Sequence, residues 1–457
     1  MASSHHAPAP SQWQLYKQLI WLAIPIILAN ATVPLLGLAD TAVIGHNGTP
    51  QDLAAIALAA LIFNFVYWSF GFLRMATTGF VAQAKGARQR DELLAVIYRA
   101  LLLAALIGLV LLLLQTPIVY IAMQFLSASD TVNDKMLDYF YVRIWDAPAS
   151  LMIYVVLGSL IGLSQSRSIM WFQILLNALN IILNVSLVWG LQMGVKGIAL
   201  GTVLAQYFML LCGLVVLFRH LGVSAPWLHL RQLWSRVCQR DKLLQMFHVN
   251  RDIMIRTLAL TAGFAWFARQ GAQLGDDVLA ANHILLQFVA LAAFFLDGFA
   301  NVAEMRVGHA FGAGDAPRFK QEVKASAILS LIAAAILALG IYLGSEQIIQ
   351  WLTEDSDLQR LAHTYAWLAC LYIFFSFGAF LLDGVFIGVT YSKAMRNSTV
   401  IAFVSLILLS LWWLDDFGNT GLWAALIAYV IMRAIVLIFY LPKLQQQIST
   451  KSKAPNQ

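Results

Sequence analysis

Twelve apolar stretches, each long enough to cross a bilayer core of about 30 Å as a helix, constrain this chain more than any other feature. They fall near residues 17–45, 52–80, 93–123, 138–163, 169–189, 194–218, 250–272, 278–303, 325–350, 361–388, 397–414 and 419–441. Lipid offers no hydrogen bonds, so a spanning segment must satisfy its own backbone, and a helix does that. The expected fold class is an all-α polytopic membrane protein. Composition agrees: 60% of the residues are hydrophobic and 11% are charged, against about 25% charged in a soluble domain.

The first span, WLAIPIILANATVPLLGLADTAVIG, holds three residues that lipid tolerates poorly: Pro25, Pro34 and Asp40. A carboxylate at membrane depth costs about 2.5–3.5 kcal/mol on the insertion scale. Each proline removes a helix hydrogen bond. The stretch therefore reads as a helix that bends at Pro25 or Pro34 and carries one group, Asp40, that binds a proton or a cation. The blander reading is a carboxylate near a helix end, hydrated from outside.

An even number of spans puts both termini on one side. The basic residues choose the side. Lys17, Lys85, Arg88, Arg90, Arg167, the run from Arg219 to Arg251, Arg306 to Lys324, Lys393, Arg396 and the C-terminal lysines share one face. Lys135, Lys196 and Arg360 fall on the other, among acidic loops such as Asp130–Asp134 and Glu354–Asp357. Both termini are expected in the cytoplasm. The net charge of +6 is thereby a topology signal, and no nucleic-acid partner is expected.

The halves repeat. Leu53-Ala54-Ala55 recurs as Leu279-Ala280-Ala281, Gly86-Ala87 as Gly312-Ala313, and Gly158 and Gly162 as Gly384 and Gly388, every pair 226 residues apart. Gly194 and Gly197 recur as Gly418 and Gly421 at an offset of 224. Six spans per repeat give both halves the same orientation, related by a pseudo-twofold along the membrane normal. The expected organisation is a disordered tail over 1–13, a six-helix lobe over 14–219, a basic connector over 220–249, a second six-helix lobe over 250–442 and a tail over 443–457. Trp227 and Trp234 in the connector are placed at headgroup level. Two six-helix lobes with a cleft between them suit alternating access.

Polar groups at membrane depth mark the cleft. Asn177, Asn180 and Asn184, spaced three and four apart, share a helix face. Thr202 and Gln206, one turn apart on the next helix, are candidates for the same cavity. Pro34 and Met152 are further cavity candidates. Helix–helix adhesion is the competing reading for the asparagines. In the second half, Asp297, Asn301 and Glu304 share one face, and Asp383 lies in the tenth span. Asp297 with Asp383 is expected to form a second carboxylate cluster. Arg74, Arg143, Arg269 and Arg433 also lie within spans, where structural ion pairs and functional sites are equally open.

Enzyme chemistry finds no support. There is no phosphate loop, no HExxH and no nucleophile elbow, and His283, His309 and His363 are dispersed. Cys212, Cys238 and Cys370 give neither a disulfide framework nor metal-ligand spacing. His5 and His6 are not read as a metal tract. No metal or cofactor is expected, and no cleaved signal peptide.

The segments IPIILANATVPLLGLADTAVIG, FLRMATTGFVAQAKGA, LDGFANVAEMRVGHAFGAGD and LLDGVFIGVTYSKAMRNS resemble the first, second, eighth and tenth helices of MATE (multidrug and toxic compound extrusion) transporters. The resemblance runs from about residue 15 to 440 and is strongest to the DinF branch. It implies a monomeric efflux antiporter in a bacterial cytoplasmic membrane, exporting organic cations and drugs. It implies Asp40 as the coupling residue, with Asn180, Asn184 and Thr202 completing its hydrogen-bond network. Relatives commonly carry a second Asp where this chain has Asn184. A hard cation wants charged oxygens, so proton coupling is expected. Sodium coupling through the second lobe's carboxylates, and a lipid-linked oligosaccharide flippase, are the alternatives.

Overall fold

The computed structural model describes residues 11–126 and 128–453, with the side chains of 33–36, 38–40, 45–47 and 450–453 outside that description. Among the described residues there is helix and no strand.

The N-terminal half contains α1 (Gln12–Asn47), α2 (Pro50–Ser69), α3 (Phe72–Gly86), α4 (Arg90–Leu113), α5 (Gln115–Phe125), α6 (Asp130–Arg143), α7 (Ala147–Gly162), α8 (Ser166–Val185) and α9 (Gly194–His220). Several are halves of one crossing. α2 and α3 break at Phe70–Gly71, and α6 and α7 meet through a 3-10 turn, Ile144–Asp146, just before Pro148. Local chemistry sets the starts. Ser11 and Gln14 form a reciprocal capping box for α1, and Thr49 with Asp52 does the same for α2, where Pro50 occupies the first turn. These satisfy amide donors that a helix start leaves orphaned.

Two short helices, α10 (Pro226–Gln232) and α11 (Trp234–Val237), form the connector. Trp227 and Trp234 are exposed on it. The C-terminal half contains α12 (Arg240–Gln273), α13 (Asp276–Gly312), α14 (Ala316–Leu352), α15 (Ser356–Gly388) and α16 (Ser392–Lys453).

α16 is two crossings. It folds back at Gly418, whose φ of 54° is a left-handed conformation that glycine adopts without strain. Asn397 donates to Tyr440 Oη at 3.1 Å, and Leu406 and Tyr429 both border Gly263, so the arms lie side by side. Asn282 and Asn419 exchange both amide hydrogen bonds, at 2.8 and 3.0 Å, and Trp423 Nε1 adds a third to Asn282 at 2.8 Å. That buried knot pins the fold-back to α13. Ten stretches of the described residues meet length and composition limits for a membrane span. Dividing α16 and counting the more polar α12 gives the expected twelve.

Three element boundaries differ from the sequence expectation. α1 begins at Gln12, inside the expected tail, because Ser11 caps it. α12 begins at Arg240, inside the expected connector, where Met246 and Val249 already bury apolar surface. α16 runs to Lys453 because Leu444 and Ile448 continue its buried face against Phe386 and Met395.

One apolar cluster joins α1 to α9 and extends to Met246, Val249, Ile253, Val302, Met305 and Ala325 of the second half; two others lie mainly in the second half. Within each lobe, glycines let helices touch. A methyl on Gly158 or Gly162 of α7 would lie 2.4 or 2.9 Å from the Arg74 or Thr78 carbonyl oxygen of α3. On Gly384 or Gly388 of α15 it would lie 2.3 Å from the Ala300 or Glu304 carbonyl oxygen of α13. Those pairs are related by the 226-residue offset, so the sequence repeat is a repeat of packing.

Candidate functional site

α8 and α9 meet across a ladder of neutral polar groups. Asn184 Nδ2 donates to Asn180 Oδ1 at 2.8 Å, Asn180 Nδ2 donates to Thr202 Oγ1 at 3.1 Å, and Thr202 Oγ1 donates to its own helix at Ile198 O, 3.0 Å. All three side chains are buried. Gly201 makes the approach possible: a methyl there would lie 2.1 Å from Asn184 Oδ1. Asn177, one turn before Asn180, leaves this ladder and holds α1. It donates to Thr32 O at 3.1 Å and to Thr32 Oγ1 at 2.9 Å. Trp189 Nε1 holds α1 further along, at Val43 O, 3.1 Å.

The expected asparagine face is thus real, and it binds the first helix at one end and Thr202 at the other. Gln206 is half-buried, with no partner for Oε1 among the described residues, and Met152 packs against the lobe core. Pro25 is buried in α1, which is helical across both prolines. The side chains of Asp40 and Pro34 lie outside the described residues.

The second group of polar residues straddles the lobes. Asn30 of α1 donates to Asp297 Oδ2 of α13 at 3.3 Å, and Asn301 donates to the same oxygen at 3.0 Å. Arg74 of α3 donates to Asn301 Oδ1 at 2.9 Å. Glu304 is buried one turn further along, beside Arg74, Asp297 and Thr78, and its Oε1 has no partner among the described residues. Asp297, Asn301 and Glu304 share a face as expected. Their partners Asn30 and Arg74 come from the other lobe.

Beyond this cluster the lobes meet through backbone. Gln83 Nε2 donates to Gly388 O at 3.0 Å and to Thr390 Oγ1 at 3.1 Å, and His309 Nε2 faces Gly162 O at 2.7 Å. Gly79 sits on Ile387 O, Gly86 on His309 O and Gly312 on Gln83 O. These contacts gather where α3, α7, α13 and α15 end, the end at which α16 also finishes.

Asp297 and Asp383, expected to form one carboxylate cluster, bond to different partners. Asp383 is taken by Arg256 of α12 and Arg433 of α16, because α16 packs on both α15 and α12 and brings the two guanidiniums to one place. Arg256 was not singled out in the sequence, although an arginine within the seventh span was a visible signal. The N-terminal lobe has its own buried pair, Arg143 with Asp146 at 3.5 Å, to which Tyr67 donates a short hydrogen bond. Arg269 is exposed and lies over Trp266. Among the described residues no three of His, Cys, Asp or Glu come together as metal ligands.

A model of the MatE family matches residues 25–186 and 253–412. DNA damage-inducible protein F of Escherichia coli is 38% identical over 426 residues, which cover 92% of this chain and 91% of that one. The multidrug resistance protein NorM of Vibrio cholerae is 26% identical over 364 residues, covering 78% of each chain. In fold, the chain superposes on the Vibrio cholerae MATE transporter VcmN in its bent form with a TM-score of 0.85 at 18% identity, covering 96% of this chain and 99% of that one. A multidrug resistance MATE family transporter in an outward-facing conformation gives 0.83 at 18% identity, covering 98% and 100%.

Proposed function

This chain belongs to the MatE family of multidrug efflux transporters, and from that premise we propose that it exports amphipathic cations in exchange for protons by alternating access. It is not an enzyme, and it crosses the membrane many times. The observation that carries the proton reading is the neutral ladder of Asn180, Asn184 and Thr202 beneath α1. Amides and hydroxyls satisfy one another there without a second carboxylate. A sodium ion would find few charged oxygens. Of the second lobe's carboxylates, Asp383 is held by two arginines, Asp297 accepts from two amides, and Glu304 lies beside the Arg74 guanidinium.

In the proposed cycle, ionised Asp40 makes the N-terminal cavity negative and admits a cation. A proton arriving from outside neutralises it and turns the carboxylate into a donor. The first helix, tied to α8 through Thr32 and Asn177, then bends at Pro25 or Pro34, shrinks the cavity and expels the substrate. The lobes touch at the end where α16 finishes. With both termini in the cytoplasm of a bacterial cell, that end is inside and the cleft opens outward. The working unit is a monomer.

Ethidium efflux from proteoliposomes, with proton and sodium gradients imposed separately, tests this. The proton gradient alone should drive export, and Asp40→Asn should abolish it. Undiminished efflux in that variant, or export driven by sodium alone, would remove the mechanism.

A further inference from the structure

One buried cluster of the C-terminal lobe sets two guanidiniums against one carboxylate. Arg256 of α12 and Arg433 of α16 both bind one oxygen of Asp383, its Oδ2, Arg433 at 2.5 Å. All three residues are at least nine-tenths buried. One turn earlier on α12, Asp252 repeats the arrangement, with Arg251 at 3.1 Å and Arg396 at 2.8 Å on Oδ1. Arg251 and Arg396 reach solvent, so the buried excess is the one guanidinium at Asp383. The other titratable neighbours of Arg433 are the phenols of Tyr372 and Tyr429, the latter ring lying under its guanidinium. An unpaired ion inside a protein still costs several kcal/mol after relaxation. The surplus guanidinium therefore calls for an anion.

Donors for that anion are already in place. Arg256 Nε, Arg433 Nε and Tyr429 Oη are buried with no partner among the described residues, three donors beside a single unpartnered acceptor, Asp383 Oδ1. A guanidinium that spends one amino group on Asp383 still offers other N–H groups of its planar fork, a geometry matched to oxyanions. The position suits traffic from the cleft. Ile253 and Met254, just before Arg256, pack against the N-terminal lobe, and Ile387, one turn after Asp383, presses its carbonyl on Gly79 across the boundary.

We propose that Arg256, Arg433 and Tyr429 form a subsite for the anionic group of an amphiphile: a carboxylate, sulfonate or phosphate ester. It rests on reading the cleft as the substrate path, and it widens the substrate class from cations to zwitterions and anions. Asp383 Oδ2 holds the two guanidiniums together; when an anion arrives, it remains as the fixed counter-charge beside them.

Titration calorimetry with 2-naphthalenesulfonate on the purified protein in non-ionic detergent tests the site. Arg256→Gln should weaken binding about ten-fold, the loss of one charge-assisted contact, and Arg256→Lys should recover only part of it. Asp383→Asn should tighten binding, because it removes the competing carboxylate. Failure of the wild-type protein to bind the sulfonate overturns the proposal. So does any result in which Arg256→Gln and Asp383→Asn shift binding in the same direction, as a merely structural triad would. Displacement by short-chain phosphatidylglycerol would name a lipid headgroup as the occupant, and its absence a free amphiphile. Ethidium binding to the wild-type protein, measured alongside, reads the cation-export reading separately.

Discussion

Gln83 and His309 stand 226 residues apart and make the same bond from opposite lobes. Gln83 reaches Gly388 O at 3.0 Å and His309 reaches Gly162 O at 2.7 Å, and the two acceptor glycines are themselves 226 residues apart. The pseudo-twofold therefore passes between α3 and α13, and the two bonds together close one end of the molecule. His309 must carry its hydrogen on Nε2 to face a carbonyl.

Removing both bonds should open that end. Gln83 also donates to Thr390 Oγ1, so Gln83→Ala with His309→Ala removes three bonds; at about 1 kcal/mol net each, the ratio of closed to open conformers should shift by about a hundred-fold. Spin labels at the ends of α3 and α13, in a chain lacking Cys212, Cys238 and Cys370, would read the change as a longer distance. An unchanged distance distribution would show that the glycine packing holds the end by itself.

The glycines give a second, opposite test of the same closure. A methyl on Gly86 or Gly312 would lie 2.1 Å from His309 O or Gln83 O, and a backbone oxygen cannot swing aside. Gly86→Ala and Gly312→Ala should each cost the closed state about 1–3 kcal/mol. By symmetry the two costs should be similar. A cysteine placed at Ala82, buried on the boundary beside Gly308, should then react with maleimide faster in either variant.

Gly201→Ala probes the ladder between α8 and α9. The added methyl meets Asn184 Oδ1 at 2.1 Å. It should break the Asn184–Asn180 bond and destabilise the protein by about 1–3 kcal/mol. If the ladder serves proton coupling, ethidium export at a fixed pH gradient should fall by more than the loss of folded protein explains. Export that tracks the folded fraction would assign the ladder to packing alone.

Arg99 ties the connector to the first lobe. It is 3% exposed and donates to Val237 O at 3.1 Å, Arg236 O at 2.7 Å and Glu92 at 3.1 Å. Those carbonyls end the short helix α11, whose last acceptors have no helical partner. Arg99→Ala should free the segment. Trypsin should cleave the detergent-purified protein after Arg236 or Arg240 about ten-fold faster, as expected when a buried charge-assisted anchor is lost. Equal cleavage rates would mean that Lys242, which also pairs with Glu92 at 3.6 Å, is the anchor.

The local features were legible and the pairings were not. Asn177, Asn180 and Asn184 lie on one face because of spacing alone, and the same holds for Asp297, Asn301 and Glu304. Which helix each face would meet had no sequence signal. Asn30 was not singled out in the first span, yet it bonds Asp297 from the other lobe. Asp383 looked available to a cation, yet two arginines from α12 and α16 occupy it. The ends of α12 and α16 ran past their expected limits because buried side chains, not polarity, decide where a packed helix stops.

What the sequence by itself determined was the number of crossings, their shared orientation in two halves and the positions where helices touch closely. Each follows from a property of short stretches: apolar length, charge balance and glycine spacing. What only the tertiary structure decided was the partner of the buried charges, the end at which the lobes are shut, and the meeting of two guanidiniums at Asp383. Those depend on residues far apart in the chain meeting across helix boundaries, and helical periodicity says which way a side chain faces but not what stands opposite it.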